Sequence, residues 1–168
     1  MIESFIPTYT FHHYSEVTPE FLLSKGICAI VSDIDNTLVT YDDEQPTPEL
    51  LKWIDSMTKA GIQISFISNN TKERVRIFNI DLKFFARGSA KKPFKKYVLC
   101  ALDGMNVDHD QACLMGDQLF TDIWAGNNAC VRTILVDPIK DRKNPFTKFK
   151  RRIERAVLRR YEKKNGKK

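Results

Sequence analysis

Five short apolar runs, Ile27–Ser32, Ile62–Ser68, Leu82–Ala86, Ala112–Gly116 and Val131–Val136, do most to narrow the folds open to this chain. They are rich in β-branched or aromatic residues and nearly continuous rather than alternating, the pattern of strands buried on both faces. The first four are each followed by a segment of helical spacing, so crossover helices join parallel strands. The expected class is α/β, with helices on both faces of one sheet. The clearest helix starts at Thr47-Pro48-Glu49, where Thr47 can cap and Pro48 suits the first turn. Its apolar stripe is Leu50, Leu51, Ile54 and Met57, and Gly61 ends it. Further helices are expected over Lys72–Phe78, Pro93–Leu102 and Phe120–Asn127. With 168 residues, 42 % of them hydrophobic, the chain suits one domain.

In an open parallel sheet, ligands gather beyond the carboxyl ends of the strands. Strand one delivers Ser32-Asp33-Ile34-Asp35-Asn36-Thr37 to that rim, and strand two delivers Ser68-Asn69-Asn70-Thr71. Lys91-Lys92-Pro93 follows strand three, and strand four ends in Gly116-Asp117-Gln118 with Thr121-Asp122 beyond it. Two carboxylates two residues apart after a buried strand repel each other, so a compensating cation is expected. Mg²⁺ suits oxygen ligands from one or two carboxylates, water and a phosphate oxygen. Asp117 would be a third acid, Lys92 a fixed positive charge, and Ser68 and Asn69 donors to an anion at a helix N-terminus. Together these groups describe a site for phosphoryl chemistry.

Asp33-Ile34-Asp35-Asn36-Thr37, Ser68, Lys92 and Gly116-Asp117 through Asp122, in this order and each at a strand end, resemble the four motifs of the haloacid dehalogenase (HAD) superfamily of phosphatases. A lone D-x-D is weak; four ordered elements are specific. The Phe-Ile-Pro-Thr-Tyr segment, the Ala-Lys-Lys-Pro box and Gly-Asp-Gln-Leu-Phe-Thr-Asp look more narrowly like the YqeG group. That group is a subfamily III branch related to mitochondrial phosphatidylglycerophosphate phosphatases. The resemblance implies a Rossmann-like sheet of order 5-4-1-2-3 and catalysis by Asp33, Asp35, Ser68 and Lys92. In it Asp33 attacks phosphorus to give an aspartyl-phosphate, and Asp35 serves as acid and then base. Ser68, Asn69 and Lys92 hold the phosphoryl group. Mg²⁺ is held by Asp33, Asp117 and the backbone carbonyl of Asp35, while Asp122 either supports the metal shell from behind or pairs with Lys92. Asp35 stands where P-type ATPases of the superfamily have threonine, which points to hydrolysis of a phosphomonoester. Gln118 departs from the commonest acidic form of the fourth motif.

Plainer readings stand beside these. Taken singly, Asp33, Asp35 and Ser68 suit turns or helix caps, and Lys91 competes with Lys92. Neighbouring His12 and His13 point to opposite faces of an extended chain, against a shared metal. Trp53 and Trp124 sit on amphipathic helices and suit a core. Asp33 and Ser68 are 35 positions apart and Ser68 and Lys92 are 24 apart, intervals filled by a helix and a strand. No room is left for a cap domain, and Val39–Gln45 makes at most a flap. An open site suits a large substrate, or a small one enclosed by a neighbouring subunit.

The net charge of +6 divides unevenly. Residues 140–168 hold 14 basic and 3 acidic residues, a net +11, which leaves 13 basic against 18 acidic and a net −5 for residues 1–139. The expected organisation is therefore a phosphatase body over 1–139 and a basic amphipathic tail over 140–168. Phe146, Phe149, Ile153, Ala156 or Val157, and Tyr161 make an apolar stripe there, flanked by Lys150, Arg151, Arg152, Arg155, Arg159 and Arg160. Such a helix can dock on the body, lie on anionic phospholipid, or hold RNA or a ribosome. A phosphatase acting on phosphatidylglycerophosphate is the leading expectation. A phosphatase of a soluble sugar phosphate, nucleotide or phosphoprotein is the alternative, and a non-catalytic RNA-binding accessory factor is the rival from another class. No apolar run reaches the roughly 18 residues of a membrane span and the N-terminus lacks a signal pattern, so a cytoplasmic protein, peripheral on the inner membrane face where the tail binds lipid, is expected. Cys28, Cys100, Cys113 and Cys130 form no C-x-x-C pair and read as small hydrophobes.

Overall fold

The computed structural model describes residues 2–140 and the helix at 145–165, with the side chains of that helix described at 149 and 152–161. In chain order the strands are β1 (Tyr9–Phe11), β2 (Ala29–Ser32), β3 (Gln63–Ile67), β4 (Phe85–Arg87), β5 (Ala112–Gly116) and β6 (Arg132–Val136). The helices are α1 (Pro19–Ser24), α2 (Pro48–Lys59), α3 (Lys72–Asn79), α4 (Lys96–Met105), α5 (Trp124–Asn128) and α6 (Pro145–Asn165). All pairings are parallel, in the order β1-β6-β5-β2-β3-β4. The five strands expected from sequence hold the expected order. The sequence reading missed β1, a sixth strand on the open edge of β6.

Alternation along the strands fills two cores. From β2, Ile30 points to the layer that holds Leu22 of α1, Leu50, Trp53, Ile54 and Met57 of α2, and Val75 and Phe78 of α3. Ala29 and Val31 point to the other layer, with Val98, Ala101 and Leu102 of α4 and Ala125 of α5. The fold is a three-layer α/β sandwich whose central strand, buried along its whole length, carries the DxD pair at its tip.

Local chemistry sets the helix ends. Thr47 accepts from the Leu50 amide at 3.2 Å, Pro48 opens α2, and Gly61 supplies the positive φ that turns the chain back into β3. The expected stripe needs one correction: Leu51 is 45 % exposed, and Trp53 takes the inward place, its indole N–H donating to the Val17 carbonyl at 2.9 Å. The third strand lies later than the expected Leu82–Ala86, because Leu82 and Phe84 pack on the core from the connecting loop. Helix α4 also starts later than expected, since Lys92-Pro93-Phe94 is spent on the turn that delivers Lys92 to the rim. The expected helix at Phe120–Asn127 is a wide π turn, Leu119–Ile123, running into α5. The four cysteines are free thiols, and burial pushes Cys113 up to about 12, which makes it inert.

Helix α6 corrects the expected tail stripe. Glu154 is buried and accepts from the Leu119 amide at 3.1 Å, with Val157, Leu158 and Tyr161 partly buried on the same side. Phe149 is 62 % and Ile153 39 % exposed on the outer side, among exposed Arg152, Arg155, Arg159 and Arg160. Phe146 of that stripe, and Lys150 and Arg151 beside it, lie outside the described side chains. No helix among the described residues is long and apolar enough to cross a membrane.

Candidate active site

The β2–β5 ladder runs one residue past β2: the Asp33 amide donates to the Met115 carbonyl at 2.9 Å. Asn36, in the left-handed region at φ 69°, then turns the chain sharply, while Ile34, Leu38 and Val39 anchor the loop in the core. The side chain of Asn36 is locked to the main chain of Lys140 by two hydrogen bonds of 2.8 and 2.9 Å. At the tip of β5, a Cβ on Gly116 would lie 2.3 Å from the carboxyl carbon of Asp122. The glycine makes the space in which the Asp122 carboxylate folds back beside Asp117, held by the Gln118 amide at 3.1 Å.

These turns bring the expected residues together. Carboxylate oxygens of Asp33, Asp117 and Asp122, all buried, lie within 4.8 Å of one another. The Lys92 ammonium sits 2.7 Å from Asp33 Oδ1, 2.6 Å from Asp122 Oδ1 and 3.0 Å from the Ile67 carbonyl. Its contact with Asp122 is a fully buried ion pair. The Ser68 hydroxyl accepts from the Asn70 amide at 3.0 Å, which leaves its proton to donate toward the cleft. Asn69 Oδ1 accepts from the Lys92 amide at 2.7 Å and its Nδ2 donates to the Lys92 carbonyl at 3.0 Å, so the side chain braces the lysine loop from the pocket wall. The Asp35 side chain turns away from the acidic trio. One oxygen accepts from Arg74 Nε and Nη2 at 3.1 and 2.9 Å, the other from Asn70 Nδ2 at 2.9 Å. Arg74, on the polar side of α3, was not singled out by sequence, and no local pattern marks it.

The pocket these residues line holds about 270 Å³, walled also by Tyr41, Gln118 and Thr121. Among the described residues no inserted domain covers it. At this end of the sheet the buried trio Asp33, Asp117 and Asp122 faces the single ammonium of Lys92, an excess of negative charge that a divalent cation would cancel. Burial raises Asp33 to about 8, opposed by Lys92 and reinforced by Asp122 and Asp117. Lys92 is also raised: burial alone would lower it, but Asp122 and Asp33 outweigh that and hold the amine charged. The donor set is all oxygen, which fits a hard divalent ion. A proton and a metal therefore compete for Asp33. Well below pH 8 binding of a divalent cation should displace close to one proton, so apparent affinity rises with pH and levels off above 8. Calorimetry in two buffers of different ionisation enthalpy measures this; an affinity independent of pH between 6 and 8 would contradict it.

The HAD-hydrolase-like family matches residues 89–157. The Bacillus subtilis (strain 168) protein named "Probable phosphatase YqeG" is 34 % identical over 92 % of this chain and 90 % of its own length. The chain belongs to the YqeG family of HAD-type phosphatases. Glyceraldehyde 3-phosphate phosphatase of Pyrococcus furiosus is 29 % identical over 66 % of this chain, which spans about half of that protein. Among solved structures, the cobalt-bound deoxy-D-mannose-octulosonate 8-phosphate phosphatase YrbI of Haemophilus influenzae shares the fold with a TM-score of 0.54 at 16 % identity. That match covers 80 % of this chain and 89 % of that one. The 4-nitrophenylphosphatase of Thermotoga maritima does so with a TM-score of 0.51 at 14 % identity, over 71 % and 89 %. In this YqeG-family phosphatase the buried acids close enough together to hold a metal are Asp33, Asp117 and Asp122.

Proposed function

We propose that the enzyme hydrolyses phosphatidylglycerophosphate at an anionic membrane surface, with Mg²⁺ and through an aspartyl-phosphate. Asp33, Asp117 and the Asp35 carbonyl would hold a divalent cation, which when bound would neutralise charge on the phosphoryl oxygens. An Asp33 carboxylate oxygen attacks phosphorus, the bond from phosphorus to the ester oxygen breaks, and the leaving alcohol takes its proton from Asp35. Asp35, now a carboxylate, accepts a proton from water as its oxygen attacks phosphorus. The bond between phosphorus and Asp33 breaks, releasing phosphate and the free carboxylate. Lys92 keeps Asp33 aligned and offsets equatorial charge, and Ser68 donates to a phosphoryl oxygen.

The observation that carries the lipid reading is the outer face of α6, where exposed Phe149 and Ile153 lie among four exposed arginines. An apolar strip flanked by basic residues suits the headgroup boundary of anionic lipid, with about 1 kcal/mol for each basic residue near the surface. The uncapped pocket with Tyr41, Gln118 and Thr121 on its wall suits a hydroxylated headgroup whose acyl chains stay outside. The Pyrococcus relatives, named for a small soluble phosphate, favour a second reading, a phosphatase of a soluble sugar phosphate. Phosphate release with Mg²⁺ separates the two readings. Phosphatidylglycerophosphate in anionic vesicles should exceed soluble esters in kcat/KM by at least tenfold, and Phe149→Ser with Ile153→Ser should remove that excess while leaving soluble turnover intact. Equal rates on both substrate classes would sink the lipid reading.

A further inference from the structure

Arg74 does more than neutralise a neighbour. Its side chain is 13 % exposed, and the guanidinium spends both Nε and Nη2 on Asp35 Oδ1. The same Nη2 donates to the Asp43 carbonyl at 2.6 Å, and Nη1 donates to the Glu44 carbonyl at 2.7 Å. Behind it lies the ring of Phe78, 5.8 Å from the guanidinium carbon, itself fully buried. Arg74 leaves the first turn of α3, whose N-terminus is capped by Thr71, so the fork is presented from a fixed element. Asp43 and Glu44 belong to the flap that follows the DxD loop. That flap is folded on itself by Asp43 accepting from the Thr40 amide and hydroxyl at 3.0 and 2.6 Å, and it carries Tyr41 into the pocket wall.

We infer that Arg74 is a positioning residue that joins the acid/base aspartate to the flap, so that closing Tyr41 over a substrate and orienting Asp35 are one event. This rests on the reading of Asp35 as acid and base. The guanidinium is a planar fork with donors in fixed directions, which is what serving one carboxylate oxygen and two main-chain carbonyls at once requires. Asn70 fixes the remaining oxygen, so the carboxylate cannot rotate while the flap is in place. Displacing the flap withdraws two of the acceptors that hold the guanidinium, and the guanidinium in turn loosens Asp35. The device belongs to a site without a cap domain among the described residues: the short flap takes over the task of sensing that the pocket is filled.

The test is a double-mutant cycle on purified full-length enzyme with Mg²⁺, reading kcat and KM for glycerol 3-phosphate and 4-nitrophenyl phosphate. Arg74→Gln should lower kcat by roughly 10- to 100-fold, the scale of a misplaced acid/base group, with KM within about threefold. In an Asp35→Asn background the same change should cost less than about twofold, because a residue acting through Asp35 has nothing left to position. Arg74→Lys keeps the charge without the fork and should recover only a minor part of the loss. It also serves as the folded variant where Arg74→Gln lowers the yield. Glu44→Gln, whose contact uses the main chain, should match the parent enzyme. Equal losses from Arg74→Gln in both backgrounds, or full recovery by Arg74→Lys, would overturn the positioning role while leaving the acid/base reading intact. An Asp35→Asn variant as active as the parent would sink that reading and the inference with it.

Discussion

Asp33→Asn is expected to lower phosphate release by roughly 10⁴-fold or more, because it removes the proposed nucleophile and a ligand of the proposed metal site in one step. The fold should survive. Asp33 is raised to about 8 by burial and by Asp122 and Asp117, which marks a carboxylate whose ionisation is unfavourable in the folded chain without metal. For such a group the unfolded chain ionises near pH 4 and the folded one near 8, so metal-free stability falls as pH rises across that window. The asparagine variant cannot ionise and should escape this fall. Melting curves in chelator at pH 5 and pH 8 would therefore converge for Asp33→Asn and diverge for the parent. Turnover above a tenth of the parent rate would place the nucleophile elsewhere.

Lys92→Ala should be the most damaging change to stability. It leaves Asp33 and Asp122 buried without the ammonium that lies 2.7 and 2.6 Å from them. Breaking a buried pair by removing one partner costs about 3–5 kcal/mol, which for a domain of this size lowers Tm by roughly 10 °C. The loss should be greatest above about pH 8, where Asp33 is ionised, and shrink as pH falls below it, since a protonated Asp33 has no charge to compensate. Saturating Mg²⁺ should restore part of the lost Tm by supplying another cation, without restoring turnover. Calorimetric melting with and without Mg²⁺ measures both; an unchanged Tm in chelator would show that the trio is not held together by this lysine.

The sheet and most of the site were legible in the sequence because parallel strands buried on both faces leave unbroken apolar runs, and because each run ends in the residues it presents. Asp33, Ser68, Lys92 and Asp117 could be read for that reason. What escaped depended on distant partners. Tyr9–Phe11 is three residues long with only its outer two partly buried, so its pairing with β6 leaves no periodic trace. Arg74 looks like any polar helix residue until the DxD loop is folded against it. The bracing of the Lys92 loop by Asn69 escaped because a side chain beside a phosphate site and one bracing a neighbouring loop have the same local sequence. In α6 the expected stripe is split: Val157 and Tyr161 lie on the docked side and Phe149 and Ile153 on the outer one, and the buried contact is made by Glu154, the one acidic residue in Phe146–Tyr161, which a reading by hydrophobicity passes over.

The pairing of Tyr9 with Ile134 has a consequence in time. The strand made first finds its partner among the last residues of the sheet to be synthesised, 125 positions later, so through nearly all of synthesis β1 waits unpaired while the DxD loop and its supporting strands can already form. When β6 arrives, the aromatic cluster of Tyr9, Phe11 and Phe21 closes over an edge that would otherwise offer its main-chain groups to other chains. Shortening the chain at its beginning would thus be felt at its end, as clumping of newly made protein rather than as a slower enzyme.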